Sequence, residues 1–217
     1  MQAKRLTSRI LRLLAAAWLA GAGAAFAQSA PPGPEAAGED AVFLVANRGL
    51  RDMVYRRTVL IAVPLRDGAH VGVILNRPTD RPLITLFPEH EPSKQVVDPV
   101  HFGGPFARGA LVALVKAESS PGAGAVPMLR NLYMAFGART IDGIIEKSPN
   151  EARYYVGYVG WRPGELRAEL ERGLWTVTGV DREAVFRKGR DMEALWDDLT
   201  AQSQRLQALL APEPALR

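Results

Sequence analysis

Two apolar runs, residues 58–65 (TVLIAVPL) and 71–75 (VGVIL), flank the turn residues Asp67 and Gly68. Both are rich in β-branched side chains, and neither alternates with polar residues. That spacing predicts a β-hairpin, and the unbroken apolar pattern places its strands in a sheet covered on both faces. The rest of the chain has to provide the cover.

Further strands are expected at 42–46, 132–136, 154–159 and 174–180. Residues 100–102 and 111–116 read as another pair, joined through Gly103, Gly104 and Pro105. Helices interrupt the strands. A short one is expected over 140–147. Pro163 fits the first position of the next, with Glu165 in its first turn, Leu166 and Leu170 on one face, and Gly173 at its end. Asp181 can cap a short helix through Phe186. Asp191 can cap the last one, whose apolar stripe is Leu195, Trp196, Leu199, Leu206 and Leu209. Strands and helices do not alternate strictly, so the expected class is α+β rather than a doubly wound sheet. Neither an internal repeat nor a second composition break divides residues 41–210, which read as one compact domain.

The ends differ in character. Lys4, Arg5, Arg9 and Arg12 precede an apolar stretch, 13–25, shorter than the roughly 20 residues that span a bilayer. Ala25, Phe26 and Ala27 then offer a small-x-small cleavage site, so residues 1–27 read as a signal peptide and Gln28 as the first mature residue. An uncleaved anchor and a start codon placed too early are the alternatives. Residues 28–40 (QSAPPGPEAAGED) read as a flexible linker and 211–217 as a disordered tail. The expected location is periplasmic, with no membrane span left after cleavage. The full chain carries 27 basic and 23 acidic side chains. The excess lies in the leader, so the remainder is balanced and offers no general electrostatic footprint for nucleic acid.

No cysteine is present, which removes disulfides, thiolate metal sites and cysteine nucleophiles. The remaining candidates sit mostly at strand ends. Asn76, Arg77, Pro78 and Thr79 form a turn in which Arg77 and Thr79 can bind an anion, or a rigid turn in which Asn76 bonds the backbone. Gly103 and Gly104 can admit a ligand to bare N–H groups, or permit a tight crossing of strands. Asp52 and Arg57 read as a structural ion pair. Tyr154, Tyr155, Tyr158, Trp161 and Trp175 either form a stacking platform or, the favoured reading, pack a core, and Trp161 is the best candidate among them for an exposed contact. Glu89, His90, Glu91, Asp98 and His101 lack the i, i+4 histidine pair of HExxH and lie in a proline-broken segment, so no metal is expected. Neither GxGxxG nor GKS/T accompanies the glycines, so no nucleotide cofactor is expected. His101 has no GxSxG or SxxK partner. No catalytic residue is assigned, and an enzyme is the less favoured reading.

Phe43, Leu44, Val45 and Ala46 are followed by Leu50-x-Asp52-x-x-Tyr55-x-Arg57-Thr58-Val59. Next come the stretch GVILNRPT from Gly72 to Thr79, and Phe102 before Gly103, Gly104 and Pro105. The last segment is Gly157-Tyr158-x-Gly160-Trp161-x-x-Gly164-Glu165-Leu166, running on to Glu169, Gly173 and Trp175. Taken in that order, the four segments resemble the AlgH/YqgE family of bacterial proteins over residues 42–199. Where that family commonly has a proline after its first strand, this chain has Asn47, Arg48 and Gly49; Glu165 replaces a Gln, Tyr55 a Phe and Thr58 a Ser. The resemblance implies an α+β fold in which a bifurcated mixed sheet curls into a pseudo-barrel, flanked by short helices and a C-terminal helix. It implies no defined activity. Some members are described as regulators, and most are taken to be cytoplasmic, which is the alternative location here.

The resulting expectation is a non-catalytic binding or regulatory protein acting after export. Its partner would be a protein or a small anionic ligand, met at Asn76, Arg77, Thr79, Gly103 and Gly104, with Trp161 a further contact. A hydrolase or transferase working between the Asn76 turn and the Gly103-Gly104 turn is the alternative.

Overall fold

The predicted hairpin forms. A computed structural model, which describes residues 41–179 and 181–210, pairs β2 (Val59–Pro64) antiparallel with β3 (His70–Ile74), and Gly68 closes the turn at φ +81°. The expected leader, linker and tail lie outside the described residues. β1 (Val42–Ala46) lines the other edge of β2, and β9 (Trp175–Thr178) borders β1. The remaining strands are β4 (His101–Phe102), β5 (Phe106–Lys116), β6 (Ala125–Leu129), β7 (Leu132–Ala135) and β8 (Ala152–Trp161). Among the described residues the sheet has nine strands in the order β6-β7-β5-β8-β3-β2-β1-β9, with β4 held against β8. It curls into a half-barrel, one compact α+β domain.

The sheet forks at β8. β3 pairs with β8 only at its start, where residues 70–72 face 159–161. Beyond that point β4 occupies the gap, parallel to β8, with His101 opposite Tyr155 and Phe102 opposite Val156. Two backbone bonds fasten this wedge. Gly103 N–H donates to the Val156 carbonyl, and the Gly103 carbonyl accepts from Ile74 N–H, both at 2.9 Å. Residues 100–102 and 111–116 were expected to pair with each other. They do not, because β8 lies between them and β5 occupies its opposite edge.

β5 shows why the strands carry few polar residues. Val112 and Leu114 enter one apolar cluster, whereas Ala113 and Val115, on the opposite face, enter another. Helix α1 (Ala138–Lys147) covers the second face with Ile141, Ile144 and Ile145, the i, i+3, i+4 side of an amphipathic helix. The first face is closed by α2 (Glu165–Glu171), α3 (Arg182–Val185) and α4 (Gly189–Leu210).

Local departures from expectation have local causes. Asp181 caps α3 by accepting from Glu183 N–H, as expected. Asp191 is no cap, because α4 already starts at Gly189. Met192, Leu195, Trp196 and Leu199 bury the first half of α4, but its second half runs past the core and leaves Leu206 and Leu209 exposed. Pro163 precedes α2 rather than opening it, since Gly164 adopts φ +84° between them. β6 was not anticipated; it tolerates Pro127 because it is an edge strand.

Candidate functional site

The two turns proposed from the sequence do meet, but their polar groups are bonded to main chain. Asn76 is buried; its side-chain oxygen accepts from Val59 N–H and its amide donates to the Arg57 carbonyl, both at 2.9 Å. It stitches the chain entering β2 to the chain leaving β3. Arg77 is half-buried and donates to the carbonyls of Arg56 (2.6 Å) and Asn76 (3.3 Å). Its guanidinium is held less basic than usual, first by burial and then by the neighbouring Arg56 and Arg57. The Thr79 hydroxyl donates to the Val100 carbonyl at 2.6 Å. Gly103 and Gly104 are buried where the chain passes over β8 between β4 and β5, and a Cβ on Gly103 would run into the Gly157 carbonyl oxygen. The geometry is that of a strand crossing, and it leaves few donors for a ligand.

The expected Asp52–Arg57 pair is replaced by other contacts. Asp52 accepts from Val54 and Tyr55 N–H, holding the loop after β1. Arg57 instead reaches Asp197 on α4 at 2.9 Å and lies 4.7 Å from the centre of the Trp196 ring. Both charges of that pair are more than half exposed, so it adds little stability.

The histidines and acids of the 89–101 segment take separate partners. His90 meets Ser93, Glu91 pairs with Lys94, and Asp98 is held by Arg153 and Lys188. His101 turns its Nδ1 to the Pro99 carbonyl at 3.0 Å. Burial, aided by the Arg153 cation, pulls its pKa down to about 4, so it is neutral at physiological pH.

The place where side chains converge on open space is elsewhere. A cleft of about 320 Å³ opens between the end of β8, α2 and the start of β9. Tyr55, Phe106, Trp161 and Trp175 form its aromatic walls. Glu165, Ala168, Glu169 and Arg172 line it from α2 and its C-cap, at the i, i+3, i+4, i+7 spacing of one helix face. Leu166, on the other face of α2, is buried in the core and fixes the helix.

Glu169 organises this cleft. Its Oε2 accepts the indole N–H of Trp161 at 2.9 Å and that of Trp175 at 2.8 Å. One carboxylate oxygen thereby joins the end of β8 to the start of β9. Trp161 is consequently buried rather than exposed, at 5%, although it still lines the cleft. Tyr55 stands edge-on to Trp175, with ring centres 5.9 Å apart. Its phenol is pushed up to about 12, by burial first and then by the charges of Asp52 and Glu169. Phe106, 49% exposed, stacks on Tyr158 at the rim. Tyr154, Tyr155 and Trp175 are core residues. Glu169 and Arg172 were not singled out from the sequence as site residues; the helical spacing from Glu165 to Arg172 was the available signal.

A second cleft, between β1, β9 and α4, includes Asn47, Arg48, Thr176 and Gln204. Asn47 there is already bonded to Thr176 and to the Gly173 carbonyl.

Comparison with known proteins adds a family. A family model described as AlgH-like matches residues 43–206. A UPF0301 protein of Mycobacterium tuberculosis strain H37Rv is 28% identical over 174 residues, 79% of this chain and 85% of that one. A UPF0301 protein of Rhodococcus jostii is 27% identical over 174 residues, covering 79% and 86%. The solution structure of the AlgH protein from Pseudomonas aeruginosa superposes with a TM-score of 0.61 at 22% identity, over 88% of this chain and 99% of that one. A crystal structure of a Corynebacterium diphtheriae protein gives 0.55, also at 22% identity, over 86% and 90%. At that identity the two structures speak for the fold alone.

Proposed function

Since the chain belongs to the AlgH-like family, we propose that it is a non-catalytic binding protein whose working surface is the Tyr55–Trp161–Trp175 cleft, and that it acts after export. The observation that carries this reading is convergence. Tyr55 comes from the first family-like segment, and Gly160, Trp161, Glu165, Glu169 and Trp175 come from the last, yet all six line one cleft. β8, α2 and β9 position five of them, and a turn pinned by Asp52 positions Tyr55, which is how binding sites are usually held.

Binding is favoured over catalysis by the chemistry available. A hydrolase or transferase at the two turns would need free groups there, and Asn76, Arg77 and Thr79 are bonded to backbone. In the cleft, Tyr55 stays a neutral phenol near pH 7, a poor base.

Phe106→Ala is the test, because Phe106 is half exposed and its loss spares the core. The variant should melt within about 2 °C of wild type but lose capture of a partner from periplasmic extract. Arg77→Ala should keep that capture. The reverse pattern would move the working surface back to the Asn76 turn.

Export has its own check. The stable protein is expected in the periplasmic fraction, beginning at Gln28. An intact peptide containing Lys4 on soluble cytoplasmic protein would sink this part of the reading.

A further inference from the structure

Resting on that reading of the cleft, we propose that its ligand is a small organic cation whose ammonium group is bound at Glu169. The chemistry has the opposite sign to the anion expected at Arg77. Glu169 Oε2 takes both indole N–H groups, while among the described residues its Oε1 accepts no hydrogen bond and no Lys or Arg forms an ion pair with it. Both indoles are neutral, so they fix the carboxylate in position without cancelling its charge. A fixed, half-buried carboxylate with a free oxygen is a strong acceptor for a charged N–H donor, because screening by water is reduced there. Glu169 and Tyr55 both line this cleft, and Tyr55 stands edge-on to Trp175, one of the two indoles that hold the carboxylate.

The walls fit the rest of such a ligand. Val159 and the rings of Tyr55 and Phe106 offer apolar surface for an alkyl stem, and aromatic faces attract ammonium groups. A dicarboxylate would meet Glu169 with like charge. A neutral diol would gain hydrogen bonds but not the Coulomb attraction. Glu165 is already engaged with Arg162, at 2.8 Å to its N–H and 3.3 Å to its guanidinium, so Glu169 is the anchor. Arg172 lines the cleft with its Nε held by the Ala168 carbonyl, and it works against a cation. The sign of its effect therefore distinguishes ligand classes.

The experiment titrates the full chain with three molecules of equal length: 1,5-diaminopentane, 1,5-pentanediol and glutarate. Calorimetry gives affinity, and the indole N–H resonances give location. The diamine is expected to bind and to shift Trp161 and Trp175 but not Trp196, whose N–H is bonded to the Ala46 carbonyl on another part of the core. Glu169→Gln keeps an oxygen for both indoles but removes the charge, and should weaken the diamine roughly tenfold or more. Arg172→Ala, an exposed change, should tighten it by about threefold. Absence of diamine binding overturns the assignment, as does equal binding of the diol, or an affinity indifferent to Glu169→Gln. Preferential binding of glutarate, weakened by Arg172→Ala, would also overturn the cation while leaving the cleft as the binding surface. Loss of the cleft itself would show differently, as capture by Phe106→Ala equal to that of wild type.

Discussion

Gly103→Ala is expected to cost about 3–5 kcal/mol of folding stability, far more than a methyl group usually does. The reason is the fork in the sheet. Gly103 bonds to β8 through its N–H and to β3 through its carbonyl, so it cannot move toward one without leaving the other. A Cβ there would overlap the Gly157 carbonyl oxygen and lie 2.9 Å from the Tyr155 Cβ. Backbone opposes it on one side and a core side chain on the other, and neither can rotate away. Overpacking of this kind costs about 1–3 kcal/mol, and forfeiting the two bonds of the wedge adds about 1 kcal/mol each. Gly109→Ala serves as the control: nothing lies within 4 Å of the added carbon, and it should be close to neutral. Urea unfolding of the two variants is the measurement. If Gly103→Ala unfolds at the wild-type midpoint, the wedge yields, and the glycine would need a reason in ligand access.

This crossing also shows how far the sequence could be read. The glycines were legible as either a crossing or a nest, but the choice depended on Gly157 and Tyr155, some fifty residues away. The β2–β3 hairpin was legible because its signals are local: apolar β-branched runs and Asp67-Gly68 between them. The β4–β5 pairing failed for the complementary reason. Closeness in sequence suggested partners, whereas β8 lies between them, taking β5 on one edge and β3 followed by β4 on the other. Asn76 was readable as a backbone stitch, since a turn former between strands has few other uses. Asp52 and Arg57 were not, because a charged side chain in a loop reaches whatever the fold brings near, here the backbone of residues 54–55 and Asp197.

The cleft was the least legible part, and again the cause is long range. Trp161 was the best candidate for an exposed contact because it sits near Gly160 and Pro163 at a helix start, although core packing was the favoured reading. What buries it is a hydrogen bond to Glu169, which Trp175 shares from a different strand. No pattern of periods or motifs announces a carboxylate taking two indole donors on one oxygen. The amphipathic pattern of α2 did show which residues face inward, Leu166 among them. The same pattern puts Glu165, Glu169 and Arg172 together on the other side.

Acid should destabilise the protein over an identifiable window, and His101 should be the main cause. In the fold His101 is 3% exposed, on the wedge strand, with its ring 5.5 Å from that of Tyr155. Burial and then Arg153 depress its pKa to about 4, while the Pro99 carbonyl and Asp98 oppose this only in part. In the unfolded chain it titrates near 6.5, so between about pH 6.5 and 4 the unfolded state binds more protons than the native one. Stability is therefore fully present above about 6.5 and falls as pH drops toward 4, by roughly 3 kcal/mol at about 1.4 kcal/mol per pH unit. Asp98 behaves differently. Its pKa is lowered by Lys188 and Arg153 against the opposing effect of burial, so its contribution is present above the ordinary carboxylate range and is lost only below it. His70, also depressed by burial, acts with the same sign below about pH 6.5. The two histidines are separated by His101→Gln, which retains a polar group for the Pro99 carbonyl without an imidazole to charge. Unfolding free energies at pH 7, 5.5 and 4 should fall steeply for wild type and by about 3 kcal/mol less for the variant. Parallel pH profiles would mean that the native state accepts a charged His101, through either rearrangement of β4 or withdrawal of Arg153, and that the wedge is softer than its hydrogen bonds indicate.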